Sequence, residues 1–109
     1  MKNRKYLVVM SLLVAVALSL SIVSLAAYIY ESRYGHNTLK RGHTGTYVAN
    51  LQYDINESGG GYCGAVDGIF GSGTESGVIS YQGARGLSVD GQAGYNTKTT
   101  LWYEEGQYH

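Results

Sequence analysis

Apolar and polar positions follow two different rules along this 109-residue chain. Tyr6 to Tyr30 contains no charged side chain, and an apolar run above about 18 residues is long enough to cross a bilayer as a helix. Beyond it the apolar residues become periodic. Val48, Leu51 and Ile55 fall at i, i+3 and i+7, which predicts a helix from about Thr46 to Asn56, with Thr44 or Thr46 as its cap. Glu57 to Gly61 ends it, because three consecutive glycines make further helix costly. A second helix is predicted from Ser72, where Ser72 and Glu75 have the spacing of a capping box, with Thr74, Val78 and Tyr81 on its inner face. A third begins near Tyr95 or Asn96 and carries Leu101 and Trp102 inward before Gly106.

Between these helices one pattern occurs twice. Val66, Asp67, Gly68, Gly71 and Thr74 recur as Val89, Asp90, Gly91, Gly94 and Thr97, offset by 23 residues throughout, and Val78 and Leu101 extend the register. The chain is therefore expected to build one turn-and-helix unit twice and to bury each copy's apolar face against the other. Each Asp-Gly pair predicts a tight turn, with glycine at positive φ and aspartate bonding the backbone ahead of it. Val66 and Val89 are expected to enter these turns as short extended segments that pair with each other.

Composition divides the chain near residue 30. All 16 glycines lie from Gly35 onward and all eight acidic residues from Glu31 onward. Lys2, Arg4 and Lys5 give the first 26 residues a charge of +3, so the rest carries −3. A mildly acidic domain without a lysine or arginine cluster excludes a nucleic-acid partner, whose phosphates demand a basic footprint. The basic start, the apolar run and the small residues Ser24 and Ala26 suit a signal peptide cut after Ala26. The length of the run, with Tyr6, Tyr28 and Tyr30 at its ends, suits a retained membrane anchor whose rings sit at the two interfaces. Both alternatives stand, and both place the remainder outside the cytoplasm. Residues 1–30 are thus read as signal peptide or anchor, 31–38 as a tether and 39–105 as a domain.

Chemistry is sparse. Cys63 is the lone cysteine and is expected as a small buried apolar residue rather than a disulfide partner. His36, His43 and His109 are too scattered for a zinc site, which needs three or so convergent ligands and an open position for water. Asp67 and Asp90 form a formal carboxylate pair, but turn formation accounts for both. Neither a metal nor a cofactor is called for, and the chain is expected not to be an enzyme.

Leu39 to Gly45, Val48, Leu51 and Gln52, then Val66 to Gly71, Thr74, Glu75, Val78, Tyr81 and Gln82 resemble a peptidoglycan-binding domain of the three-helix type. The likeness continues through Gly86, Leu87, Val89 to Gly91, Gly94, Thr97 and Leu101. The resemblance implies a mainly α fold: a small three-helix bundle with Asp-Gly turns, preceded here by a transmembrane or signal helix. It implies non-catalytic binding of bacterial cell-wall peptidoglycan, glycan or stem peptide, by an exported module. The alternative is a protein-interaction adaptor that recruits a cell-wall hydrolase or coat protein. The family often places proline after the glycine preceding each of the last two helices, where this chain has Ser72 and Tyr95. Gly73, Gly77 and Gly83 stand in or beside the second helix, each costing about 1 kcal/mol against alanine if interior.

A wall-binding groove needs aromatic rings and a few hydrogen-bonding groups. Tyr62 in the glycine-rich loop is the tyrosine expected to face a ligand, with Asp67, Phe70, Gln82 and Arg85 around the same turn and the end of the second helix. Arg85 is placed to meet a stem-peptide carboxylate. About half of the domain's tyrosines, Tyr81 first, are expected in the core. Gln52 and Gln82 are equally suited to a structural bond to the turn backbone.

Overall fold

A computed structural model describes residues 29–109. The expected anchor or signal segment, apart from its last two residues, lies outside this range. Among the described residues no helix is long and apolar enough to cross a membrane.

Three helices follow in the predicted order: α1, Thr46–Ser58; α2, Ser72–Ala84; and α3, Tyr95–Glu104. A short 3-10 turn, Gly106–Tyr108, closes the chain. Val48, Leu51 and Ile55 of α1, Val78 and Tyr81 of α2, and Leu101 of α3 are all 0% exposed, so the i, i+3, i+7 stripes meet in one core. Gly59 stops α1 in the left-handed conformation at φ 76°, which glycine adopts without a Cβ clash.

The capping box does not form. Gly71 is the N-cap of α2, in extended conformation, and no side chain caps the helix. Ser72 is already helical, so its hydroxyl lies one residue beyond the capping position. The Glu75 amide bonds the Gly71 carbonyl at 3.0 Å, and its carboxylate reaches Arg41 at 3.3 Å. Gly45 likewise takes the N-cap of α1 in place of Thr44 or Thr46, without a side-chain bond.

Val66 and Val89 do not pair; both are exposed. The extended contacts instead join Leu39 to Ala93 and Thr44 to Ile69. Residues 39–45 form a strap that crosses both Asp-Gly turns. The Leu39 and Ala93 amides and carbonyls bond reciprocally at 3.1 and 2.8 Å, the Phe70 amide reaches the His43 carbonyl at 2.9 Å, and the Gly45 amide reaches the Gly68 carbonyl at 2.8 Å. The turns are thus paired through a third segment, which leaves the two valines at solvent.

Residues 31–38, read from the sequence as a tether, are packed into the domain. Residues 29–34 are helical, and Tyr34 is 0% exposed. The Arg33 guanidinium grips Asp54 of α1 through Nε (2.5 Å) and Nη2 (2.6 Å), and the Tyr34 hydroxyl donates to Asp54 Oδ2 at 2.6 Å. Lys98 of α3, itself enclosed, donates through Nζ to the Gly35 carbonyl at 2.9 Å and to the Asn37 carbonyl. Tyr30, expected at a membrane interface, is buried edge-on to Tyr95 with ring centroids 5.5 Å apart. Residues 29–38 are called the arm below.

Candidate functional site

Each Asp-Gly turn is held by one glutamine. Gln52 of α1 receives the Asp67 and Gly68 amides on Oε1, at 3.1 and 2.9 Å. Its Nε2 lies 3.0 Å from Asp67 Oδ1, 3.0 Å from the Ile69 carbonyl and 2.9 Å from Thr74 Oγ1. Gln82 of α2 does the same for Asp90, Gly91, Gln92 and Thr97. Both aspartates accept the amide two residues on, at 2.9 Å in each case. The Ile69 amide, with Gln52, holds the Asp67 carboxyl below its usual range, and the Gln92 amide, with Gln82, does so for Asp90. Gly68 and Gly91 have φ of 75° and 74°.

This geometry sorts the five candidate residues. Gln82 is 1% exposed and Phe70 1%; both lie inside the domain, so they shape the turns and have no surface to offer a ligand. Asp67 is at the surface, with Oδ1 committed to the turn. Tyr62 is 72% exposed, the most open large apolar side chain among the described residues. Arg85 is half-engaged within the protein: Nε meets Glu104 Oε2 at 2.5 Å, Nη2 meets the Ser58 carbonyl at 3.2 Å, and the guanidinium lies 5.0 Å from the Tyr81 ring centroid. Glu104, which also accepts from the Tyr81 hydroxyl, raises the Arg85 pKa. A stem-peptide carboxylate at Arg85 must therefore compete with Glu104.

The loop that presents Tyr62 owes its path to glycines. It crosses α2 so closely that a Cβ on Gly77 would stand 2.6 Å from Cys63 Sγ and 2.9 Å from the Cys63 nitrogen, while one on Gly73 would stand 3.1 Å from the Cys63 carbonyl. Two of the three helix glycines are thus the space the loop occupies; Gly83 meets nothing. Cys63 fills this crossing as the small buried residue expected, 5% exposed, and burial pushes its thiol pKa up to about 12. Asn56 pins the loop from α1, accepting the Cys63 amide at 2.7 Å and donating to the Gly64 carbonyl at 2.9 Å.

Val66 and Ile69, later in the same connection between α1 and α2, are exposed as well. Ile69 is bridged to Thr44, which lines a feature that the sequence did not reveal, a depression between the arm and the first turn of α1. His36, Asn37, His43, Thr44 and Tyr47 line it. Tyr47, next to the enclosed Val48 in the first turn of α1, faces outward and is 49% exposed. The three histidines do not converge. His36 pairs with Glu31 at 2.7 Å, His43 accepts the Lys40 amide, and His109 stacks edge-on to Tyr53. Among the described residues no group of three potential metal ligands assembles.

Comparisons with known proteins agree with this architecture. A family model described as "Putative peptidoglycan binding domain" matches residues 44–101. The spore cortex-lytic enzyme of Bacillus cereus is 35% identical over 101 residues, covering 93% of this chain and 38% of that protein. The spore cortex-lytic enzyme of Bacillus subtilis (strain 168) is 39% identical over 71 residues, covering 64% of this chain and 23% of its own length. The crystal structure of the SleB N-terminal domain superposes with a TM-score of 0.61 at 38% identity, covering 64% of this chain and 94% of that one. The chain spans well under half the length of the curated relatives it matches. With the doubled turn, the three helices and the matched family model in agreement, the chain belongs to the peptidoglycan-binding domain family.

Proposed function

We propose that this chain is a non-catalytic module that binds cell-wall peptidoglycan outside the cytoplasmic membrane. In this reading residues 1–30 export it and either stay as an anchor or are removed near Ala26, and residues 39–105 together with the arm form the binding domain. The observation that carries the reading is family membership over residues 44–101, which take in α1, α2 and the larger part of α3. The exposure of Tyr62, Val66 and Ile69 supports it, since rings and apolar side chains left at the surface of so small a domain suit a ligand with apolar sugar faces. Tyr62 and the outer side of Asp67 are assigned to the ligand face, with Arg85 at its rim. Both aspartates of the formal acid pair are tied into turns, which supports a role in holding rather than cutting.

The relatives are named for lysis of the spore cortex, so cortex murein is the first material to test. The experiment is co-sedimentation of the full chain, kept in mild detergent, with insoluble murein stripped of teichoic acids. The expected result is a pelleted chain whose retention drops on Tyr62→Ala, a substitution at an open position that leaves the core intact. A folded chain remaining in the supernatant sinks the proposal. A hydrolase that stays with the chain after the murein is digested away marks the adaptor role instead, and sugar or peptide fragments released over time would mark an enzyme.

A further inference from the structure

We propose that the depression between the arm and α1 is a glycan subsite, taking a neutral N-acetylated amino sugar against the Tyr47 ring. The inference rests on the wall-binding reading and adds ligand chemistry to it. The residues involved, apart from Thr44 and Tyr47, precede the segment that the family model matches.

The cavity has a volume of about 400 Å³, within the range of about 300–1,000 Å³ usual for small-ligand sites. Its wall is built from Tyr47. A Cβ placed on Gly35 would come within 2.6 Å of Tyr47 Cδ2 and 2.8 Å of Cε2, so the ring rests directly on the arm backbone where any other residue would push it off. Gly35 supports the ring while Tyr47 remains 49% exposed, the disposition of a stacking platform for the C–H face of a pyranose.

Polar groups surround this platform, and they are uncharged or imidazole. His36, Asn37, His43 and Thr44 line the cavity, whereas no lysine, arginine, aspartate or glutamate does so among the described residues. A stem peptide presents carboxylates and amines, which are best met by charged partners. Hydroxyl and acetamido groups are met by amides, hydroxyls and imidazole N–H groups. His43 accepts the Lys40 amide through Nδ1 at 3.3 Å, which leaves Nε2 of the neutral ring as a donor. Lys98 fastens the Gly35 and Asn37 carbonyls from beneath, so the rim is ordered before a ligand arrives and less ordering entropy is lost on binding.

The test is an NMR titration of the full chain in mild detergent with chitotetraose and, separately, with a soluble murein tetrapeptide, alongside the murein co-sedimentation. Chitotetraose is expected to move the amides of residues 35–37 and 43–47. Tyr47→Phe should keep the affinity and Tyr47→Ala should weaken it by about tenfold. Should Tyr47→Ala fail to fold, Asn37→Ala, which removes an exposed side chain and keeps the carbonyl that Lys98 holds, must weaken chitotetraose binding in its place. A chain that pellets with murein while chitotetraose leaves residues 35–47 unmoved overturns the subsite and leaves the wall-binding reading intact. Movement of those amides by the tetrapeptide and not by the sugar overturns it as well. A chain that responds to chitotetraose but does not pellet keeps the subsite and loses the wall reading.

Discussion

Gln52 and Gln82 occupy equivalent places in the two halves of the domain, each accepting two turn amides on Oε1 and offering Nε2 to an aspartate, a carbonyl and a threonine. Both are 1% exposed. Replacing either by leucine leaves buried amides without an acceptor, at about 1–3 kcal/mol for each orphaned group. Gln52→Leu and Gln82→Leu are each expected to cost about 2–4 kcal/mol in urea unfolding. A loss below about 1 kcal/mol at either position would show that water replaces the glutamine.

Asp54 is fully enclosed and Arg33 nearly so, with side-chain exposures of 0% and 16%. Removing one partner of such a pair strands the other, at about 3–5 kcal/mol. Arg33→Met should therefore destabilise strongly, and the double variant Arg33→Met with Asp54→Asn should recover part of the loss, because the neutral amide needs no cation and its oxygen still accepts the buried Tyr34 hydroxyl. A chain beginning at Leu39 should melt well below the full chain. Equal melting temperatures would reduce the arm to the tether its sequence suggests.

Two glycines in one helix should respond in opposite directions. Gly77→Ala forces a methyl group into Cys63 and is expected to cost about 1–3 kcal/mol by overpacking. Gly83→Ala enters open space and should gain about 0.5–1 kcal/mol from helix propensity. Thermal unfolding of the two variants side by side is the check, and a stabilised Gly77→Ala would contradict the loop crossing.

Cys63 has its thiol raised to about 12 by burial, and reactivity follows the thiolate. Iodoacetamide at neutral pH should leave the native chain unlabelled and modify it readily in denaturant. Fast labelling of folded protein, or a disulfide-linked dimer on a non-reducing gel, is the contrary outcome.

Stability should fall at both ends of the pH scale. Asp67 and Asp90 have carboxyls held below the ordinary 3.8 in the folded state, so their contribution is present above that value and is lost as pH drops through the folded values. Burial raises the Tyr34 and Tyr81 hydroxyls above 10.0, so the unfolded chain ionises first and stability declines as pH climbs past about 10. Lys98 acts the other way. Burial lowers its ammonium from 10.5 to about 8, so the folded state releases that proton first and stability rises gently from about pH 8 until the tyrosines reverse it. Urea midpoints across the range would show the alkaline rise vanish in Lys98→Met.

The helices and turns were legible because their signals are local. Val48, Leu51 and Ile55 share a face whatever surrounds them, and Asp67-Gly68 and Asp90-Gly91 specify a turn in two residues. The misread features depend on partners distant in sequence. Val66 and Val89 look like strands until residues 39–45 take the hydrogen bonds they would have exchanged. Ser72 and Glu75 have the spacing of a cap, but the helix already includes Ser72 and leaves the cap position to Gly71. Tyr30 and Tyr34 stand four apart, a spacing that could have suggested a helix face reaching the core, yet the charge at Glu31 marks a composition boundary there. Phe70 and Gln82 drew attention as ligand groups because polar and aromatic side chains near a turn serve binding and structure alike. Only their enclosure separates the two roles, and enclosure is a property of the whole fold.

The arm changes how the domain bears load. A pull applied through Ile29 reaches the protein first at Tyr30, packed edge-on against Tyr95 of α3, and then at Arg33 and Gly35, whose partners Asp54 and Lys98 belong to α1 and α3 respectively. Tension divides between two helices within the arm itself. The domain is thus held at an elbow joined to two of its helices, and its orientation on the chain is set by the direction in which the arm enters.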